Sequence, residues 1–168
     1  MISFVKTTQL PETYYLGHKV EMTLENNKTQ ELFRGFMPLR KQILNKSSEY
    51  VLLLHEYNKQ TTFENFTPQT IHTNWALQQV NALELSTSDF LHYTLPSQNY
   101  AVFLHNGGIA EFAGSMHYIF SNWLPNSGYE AVKAPHFEKI LPVFPPQPET
   151  REEEIWIPIK KQSNLDRF

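Results

Sequence analysis

The order in which strand-like and helix-like patterns follow one another is the feature of this sequence that most limits its fold. A strand pattern is followed by apolar residues at helical spacing and then by two further extended runs, and this succession occurs twice. Such an order is typical of an α+β fold. The predicted segments are strand 14–23, helix 32–44 and strands 50–57 and 70–80, then strand 100–105, helix 109–123 and extended runs 129–132, 137–144 and 155–159.

We expect two tandem βαββ units that form one antiparallel sheet within a single domain. The units span about residues 1–82 and 83–161, and residues 162–168 are expected to be a frayed tail. No residue-level repeat is visible, so the pseudo-two-fold symmetry of the units is inferred from the order of elements alone. Both helices should pack on one face of the sheet, which leaves a groove for the opposite face. Gly17 interrupts the first strand, where we expect a bulge.

Composition excludes several classes of protein. The 168 residues contain no cysteine, which excludes a disulfide scaffold, thiolate metal sites and a cysteine nucleophile. The formal net charge of −3 gives no attraction to nucleic acid or to anionic membranes. The longest aliphatic run, 51–54, is too short to span a bilayer and no signal peptide is visible, so we expect a cytoplasmic protein. Aromatic residues make up 14% of the chain, which suggests a role for rings beyond the core.

No motif for a metal ion, a phosphate group or serine catalysis is present. The seven histidines are scattered and lack the spacing of a helical metal site. The turn at 106–108 lacks the lysine and the hydroxyl residue of a phosphate-binding loop, and no G-x-S-x-G sequence occurs. We therefore expect neither a metal ion nor another cofactor.

Four short motifs carry a resemblance to a known family. They lie at 100–108, 123–130, 134–138 and 153–160 and read YAVFLHNGG, WLPNSGYE, APHFE and EEIWIPIK. In this order and spacing they resemble the GyrI-like, AraC-type effector-binding domains, and the helix at 31–38 fits the same family. The resemblance covers nearly the whole chain.

This resemblance implies a bacterial small-molecule-binding fold of two tandem βαββ units around a ligand cleft. In transcription regulators of this type the domain is joined to a helix-turn-helix module and senses small molecules, often cationic or amphipathic drugs, which makes it a multidrug-binding domain. Because the predicted strands and helices occupy nearly all of the 168 residues, we expect no such module here and a likeness to the stand-alone members. Those members bind toxic compounds, interact with other proteins or hydrolyse reactive cyclopropane-bearing natural products.

Glu138 is the main candidate for the site. The resemblance places the family's pocket carboxylate at the glutamate of an FE motif, which Phe137 and Glu138 match. A carboxylate among aromatic rings is poorly solvated and favours a cation, and each ring adds about 0.5–2 kcal/mol of cation–π attraction. In a hydrolase the same carboxylate would activate water as a general base. From the residues alone, a surface glutamate paired with Lys139 is an equally good interpretation.

Aromatic residues on the predicted strands are the other candidates for ligand contacts. Tyr100 and Phe103 fall on opposite faces of one strand, so one of them should face the helices and the other the groove. Trp123 ends an amphipathic helix, where packing against the sheet is the favoured role. The candidate set is Trp75, Tyr100, Trp123 and Trp156, with Tyr57 and Phe103 behind them.

Three functions remain open at this point. The first is the binding of a small hydrophobic or cationic molecule for sensing, sequestration or resistance. The second is hydrolysis of a reactive small molecule with Glu138 in the same cleft. The third is docking of a protein partner through the sheet face or an edge strand, which would leave the groove filled by side chains. Direct contact with nucleic acid or a membrane is not expected.

Overall fold

The computed structural model describes residues 1–84, 88–142 and 152–163, which form nine strands and two main helices. The strands are β1 (Ile2–Leu10), β2 (Thr13–Met22), β3 (Lys46–Tyr57), β4 (His72–Val80), β5 (Leu91–Leu95), β6 (Gln98–Asn106), β7 (Tyr129–Ala131), β8 (His136–Ile140) and β9 (Glu152–Lys161). The main helices are α1 (Thr29–Arg40) and α2 (Ile109–Tyr118), and a π-helical turn at Ile119–Trp123 joins α2 to a single turn, α3 (Leu124–Ser127).

The strands form one antiparallel sheet, which confirms the α+β prediction. They pair in the order β1-β6-β9-β8-β3-β4-β2-β5, with β7 beside β9, and each of these pairs is antiparallel. Each half contributes three neighbouring strands, β6-β9-β8 and β2-β4-β3, and the two halves meet where β8 pairs with β3. A two-fold axis that relates the halves stays a prediction.

The helices form where apolar residues recur every three or four positions. In α1, Leu32 and Phe36 are buried and Pro38 lies near the C-terminal end. The helix predicted at 109–123 changes to a π-helical turn at Ile119, a feature often found at functional sites. Gly128 adopts a left-handed φ of 79° that ends α3 and turns the chain into β7. None of the helices in the described ranges is long and apolar enough to cross a membrane.

Two strands, β1 and β5, have no clear pattern in the sequence. β1 precedes the first predicted strand, and β5 lies in the segment 83–99 that lacks a strand signal. Both lie at an end of the strand order and hydrogen-bond to one neighbour only, so they bury little and show weak alternation of apolar residues. The predicted proline-rich loop at 145–149 and most of the predicted tail, 164–168, lie outside the described residues.

The sheet face that carries no helix buries a continuous apolar cluster. Leu10 of β1 and Tyr93 of β5 both pack on this cluster, although their strands lie at opposite ends of the strand order. The sheet therefore curls so that its two halves cover each other, and the described side chains of this face fill the space between them. The buried members are Tyr15, Leu52, Leu54, Trp75, Leu77, Leu95, Tyr100, Val102, Phe137 and Trp156.

The helix-bearing face holds two separate apolar clusters. Under α1, residues of β2, β3 and β4 pack around Phe36 and Leu32. Under α2 and the π-helical turn, residues of β6 and β9 pack around Ile119 and Phe103. Strand β8 and the end of β3 lie between these clusters. The expected groove is therefore on the same face as the helices, which corrects the sequence-based placement on the opposite face.

Gly17 lies in a regular stretch of β2, and no bulge occurs there. Gly17 pairs with Leu77 of β4 and with Leu91 of β5, and neither strand pairing shifts its register at this residue. A Cβ atom at this position would overlap the backbone carbonyl oxygen of Ala76. The glycine is therefore explained by the close approach of two strands and not by a change of register.

Candidate functional site

An open cleft of about 1810 Å³ lies between α1 and α2, above the junction of β3 and β8. Its walls are mainly apolar because both helices turn aromatic and methionine side chains toward it. The loop between β3 and β4 forms another side, where Phe63 stacks on Phe120 at a ring separation of 5.2 Å. The apolar wall residues are Phe33 and Met37 of α1, Phe112 and Met116 of α2, Phe120 of the π-helical turn, and Phe63 and Phe66 of the loop.

The floor of the cleft is polar because three strands each present two polar side chains to it. Residues i and i+2 of a strand share a face, so each pair points to the same side. The registers His55↔Asn74 and His55↔His136 then place the pairs next to one another. The six floor residues are His55 and Tyr57 of β3, His72 and Asn74 of β4, and His136 and Glu138 of β8.

A short hydrogen bond joins Glu138 to His55 at the centre of this floor. The Nε2 atom of His55 lies 2.6 Å from Oε2 of Glu138, and both side chains are largely buried. The other ring nitrogen, Nδ1, lies 2.8 Å from Oδ1 of Asn74. The Nδ2 atom of Asn74 donates toward Met22 and Thr29, so its oxygen faces the histidine as an acceptor. Because both ring nitrogens face acceptors, this geometry fits a doubly protonated imidazolium ring.

Opposing effects set the pKa of His55. Burial lowers it, whereas the charge of Glu138 and the hydrogen bonds to Glu138 and Asn74 raise it, and the net pKa lies above the ordinary value. The positive ring and the carboxylate together leave the floor with no net charge. This pairing also excludes the interpretation of Glu138 as a surface residue paired with Lys139, whose ammonium lies over the rings of Tyr50 and Trp156.

The remaining rings of the floor are held in uncharged form. Burial lowers the pKa of His136 well below its ordinary value, and the nearby His55 and His72 lower it further. Burial also lowers the pKa of His72. Burial and the charge of Glu138 raise the pKa of Tyr57, so the phenol keeps its proton. His136 stacks between His55 and Tyr57 at ring separations of 4.6 and 5.5 Å, which gives the floor a flat aromatic surface.

These shifts predict that stability falls on both sides of the ordinary histidine pKa of 6.5. As the pH falls below that value, histidines of the unfolded chain bind protons, whereas His136 and His72 in the fold stay uncharged. The free energy of unfolding therefore decreases. As the pH rises above it and through the folded pKa of His55, the fold loses the proton that favours the ion pair, and stability is lost again. Each group contributes up to about 1.4 kcal/mol per pH unit, measurable by urea denaturation.

Two variants separate the acidic and alkaline effects. H136F keeps an aromatic ring in the stack and should reduce the loss of stability at acidic pH. H55Q keeps a donor toward Glu138 and should remove the loss at alkaline pH. An acidic loss of unchanged size in H136F, or an alkaline loss of unchanged size in H55Q, would contradict this assignment.

Two of the seven predicted ligand-contact residues lie at the cleft. Glu138 and Tyr57 are both on its floor. The other five lie elsewhere, and for Trp123 this is the packing role that the sequence favoured. Trp75, Tyr100 and Trp156 are buried in the cluster on the opposite sheet face. Phe103 is buried under α2, and Trp123, the last residue of the π-helical turn, packs against it.

Three residues of the floor, His55, His72 and His136, were not among the predicted site residues, although they surround Glu138 or its partners. A signal was present, since each of three strand segments contains a histidine followed two positions later by Tyr57, Asn74 or Glu138. No group of histidine and carboxylate residues in the described part of the chain is arranged to hold a metal ion.

A comparison with family models decides the relationship of this protein. The model for the GyrI-like small molecule binding domain matches residues 4–160. The chain belongs to this family. The match confirms the resemblance seen in the four sequence motifs, and it makes a small-molecule-binding domain the general class of this GyrI-like protein. No significant match is found among the curated protein sequences.

Solved structures share the fold of this GyrI-like domain at low sequence identity. SAV2435 bound to tetraphenylphosphonium is 15% identical with a TM-score of 0.61, and the match covers 98% of this chain and 96% of that one. The C-terminal domain of EcmrR is 11% identical with a TM-score of 0.70, covering 95% and 99%. A hydrolase from Listeria innocua is 11% identical with a TM-score of 0.55, covering 92% of each chain. At these identities the likeness concerns the fold alone.

Proposed function

We propose that this GyrI-like domain binds a bulky aromatic small molecule, neutral or cationic, in the cleft between α1 and α2. The observation that carries the proposal is the combination of aromatic walls with the buried carboxylate of Glu138 on the floor. The cleft exceeds the roughly 300–1,000 Å³ of common ligand pockets, which suits a molecule with several rings. Sensing, sequestration and resistance are the cellular roles that such binding would serve.

The walls and the floor contribute differently to binding. Contact with Phe33, Phe112 and Phe120 removes apolar ligand surface from water, at roughly 25 cal/mol per Å². The flat surface of Tyr57 and His136 suits stacking of a further ring. An open cleft also favours a small ligand over a protein partner, because docking of a protein was expected to go with a filled groove and no concave pocket.

Calorimetric titration with two probes tests this proposal. Tetraphenylphosphonium, the ligand of the structurally similar SAV2435, is the cationic probe, and triphenylphosphine oxide is a neutral probe of similar shape. The variant A113W places an indole in the cleft from the exposed face of α2 and should weaken both probes more than about tenfold, since it fills the space that they need. Thermal shifts provide a second readout, because a ligand at 100 times its dissociation constant adds about 2.7 kcal/mol of stability.

The matched control is A110W, which adds the same side chain to an exposed position of α2 that does not line the cleft. It should bind both probes like the wild-type protein. Equal affinities in A113W and A110W would place binding outside the cleft. A failure of both probes to bind the wild-type protein would contradict a site for multi-ring aromatic molecules.

Hydrolysis is the second candidate function, and the position of Glu138 favours it. The carboxylate lies on the floor of an accessible cleft, where it can accept a proton from a water molecule that attacks a bound electrophile. Incubation with a cyclopropane-bearing electrophile and mass spectrometry of the products would test this activity. A product heavier by one water in the wild type and absent with E138Q supports an enzyme, and unchanged substrate in both supports a binding protein.

A further inference from the structure

The carboxylate of Glu138 already has a cationic partner within the protein. Its Oε2 atom accepts the N–H of His55 at 2.6 Å, and the opposite nitrogen of the same ring is held by Asn74 at 2.8 Å. A ligand cation on this floor would therefore meet a neutral pair and, beside it, a positive imidazolium ring. The pair is largely shielded from water, so the repulsion between ring and ligand is weakly screened.

We propose that an organic cation binds in this cleft by replacing the proton of His55, so that the site exchanges one positive charge for another. The proposal rests on the proposed ligand-binding function and specifies how that site distinguishes cations from neutral molecules. When the imidazolium loses its proton to solvent, Glu138 becomes the counter-ion of the ligand and the total charge of the floor is unchanged. Protonated His55 thus selects neutral aromatic ligands, and neutral His55 admits cations.

The other ionisable groups around the cleft do not supply this proton. His72 and His136 are already uncharged because burial lowers the pKa of each. Tyr57 keeps its proton because burial and Glu138 raise its pKa. The remaining charged or titratable side chains that line the cleft are Arg34 of α1, Glu56 of β3, His117 of α2, Glu153 of β9 and the loop lysines Lys59 and Lys133.

None of these remaining groups is held against Glu138 as His55 is. His55 is bonded directly to the carboxylate, and the charge of Glu153 also favours its protonated form. After His55 loses a proton, the neutral ring keeps one N–H, which either Glu138 or Asn74 can accept. Loss of the proton therefore frees one acceptor, and on the side of Glu138 the ligand cation takes the place of the lost donor.

Calorimetry of the wild-type protein in buffers of different ionisation enthalpy measures the protons released on binding. We expect tetraphenylphosphonium to release close to one proton at a pH where His55 is charged. Its affinity should rise by about tenfold per pH unit between about pH 6 and the pKa of His55 and then level off. Triphenylphosphine oxide should release no proton and should bind with a flat pH profile.

The variant H55Q supplies the specific control. Glutamine keeps a hydrogen-bond donor for Glu138 but has no proton to lose, so cation affinity should become independent of pH and equal the high-pH value of the wild type. The matched control is H92Q, at an exposed position of β5 away from the cleft, which should retain the wild-type pH profile. If H55Q does not fold, the absence of proton release by the wild-type protein still overturns the proposal.

The outcomes separate this proposal from the proposed function. Binding of tetraphenylphosphonium that A113W abolishes, but that releases no proton and has a flat pH profile, overturns the proton exchange and leaves ligand binding intact. Absence of binding for both probes at every pH overturns the ligand site and the exchange with it. Proton release that persists in H55Q assigns the exchange to another group and also overturns the proposal.

Discussion

Replacing Trp156 with alanine is expected to lower the free energy of unfolding by about 3–5 kcal/mol and to leave the affinity for tetraphenylphosphonium unchanged. The indole is 7% exposed and packs against Tyr100 and Phe137 at ring separations of 5.7 and 5.3 Å. Its removal leaves a cavity where the two halves of the curled sheet meet. The residue lies on the sheet face opposite the cleft, so the ligand should not sense the change. Urea denaturation and calorimetry measure the two quantities.

Two further variants make this test specific. W156F keeps a ring in the cluster and should cost less than W156A, although it loses the hydrogen bond from the indole nitrogen to Glu154. F120A removes a half-buried ring from the cleft wall and should show the reverse pattern, with weaker ligand binding and a smaller effect on stability. If W156A folds but loses affinity for the ligand, Trp156 contributes to the ligand site, as the sequence predicted.

Replacing Gly17 with alanine is expected to destabilise the fold by about 3 kcal/mol or more, although only a methyl group is added. The new Cβ atom would overlap the carbonyl oxygen of Ala76, which is a backbone atom of a central strand and has no rotamer by which to move away. Strands β2 and β4 would have to separate at this point, with loss of hydrogen bonds on both sides of the contact. Chemical denaturation measures the effect.

G35A is the matched control for this substitution. Gly35 lies on an exposed turn of α1, and an added Cβ atom meets no neighbour within 4 Å. Alanine there should stabilise the protein by up to about 1 kcal/mol, because glycine is the poorer helix former. If G17A lowers the free energy of unfolding no more than an ordinary surface substitution does, β2 and β4 adjust freely at this position.

Local sequence patterns predicted much of the fold. The helices at α1 and α2 and the central strands follow from apolar spacing, because each of these elements buries one face against a neighbour. The edge strands β1 and β5 escaped prediction because a strand with one neighbour buries too little to require strict alternation. The π-helical turn at Ile119–Trp123 also interrupts a stretch whose apolar spacing is that of a continuous helix.

The candidate site was predicted only in part, for a related reason. Glu138 was found because it belongs to a short motif with a strong family resemblance. Its partner His55 lies 83 positions away in sequence, and no local pattern connects two residues at that distance. The pairing exists because β8 lies beside β3, which brings His136 opposite His55. The positive charge that neutralises Glu138 therefore became visible only with the register of the two strands.

The sequence by itself determined the family, the α+β class and the sets of residues that share a strand face. Only the tertiary structure decided which face the helices cover. Because successive side chains of a strand point to opposite faces of the sheet, Leu54 and Glu56 lie on one face, and His55 and Tyr57 lie on the other. This alternation does not determine which face is buried in the core with Trp156 and which face lines the cleft. That choice depends on how distant strands curl and bury one another, and no short stretch of sequence encodes it.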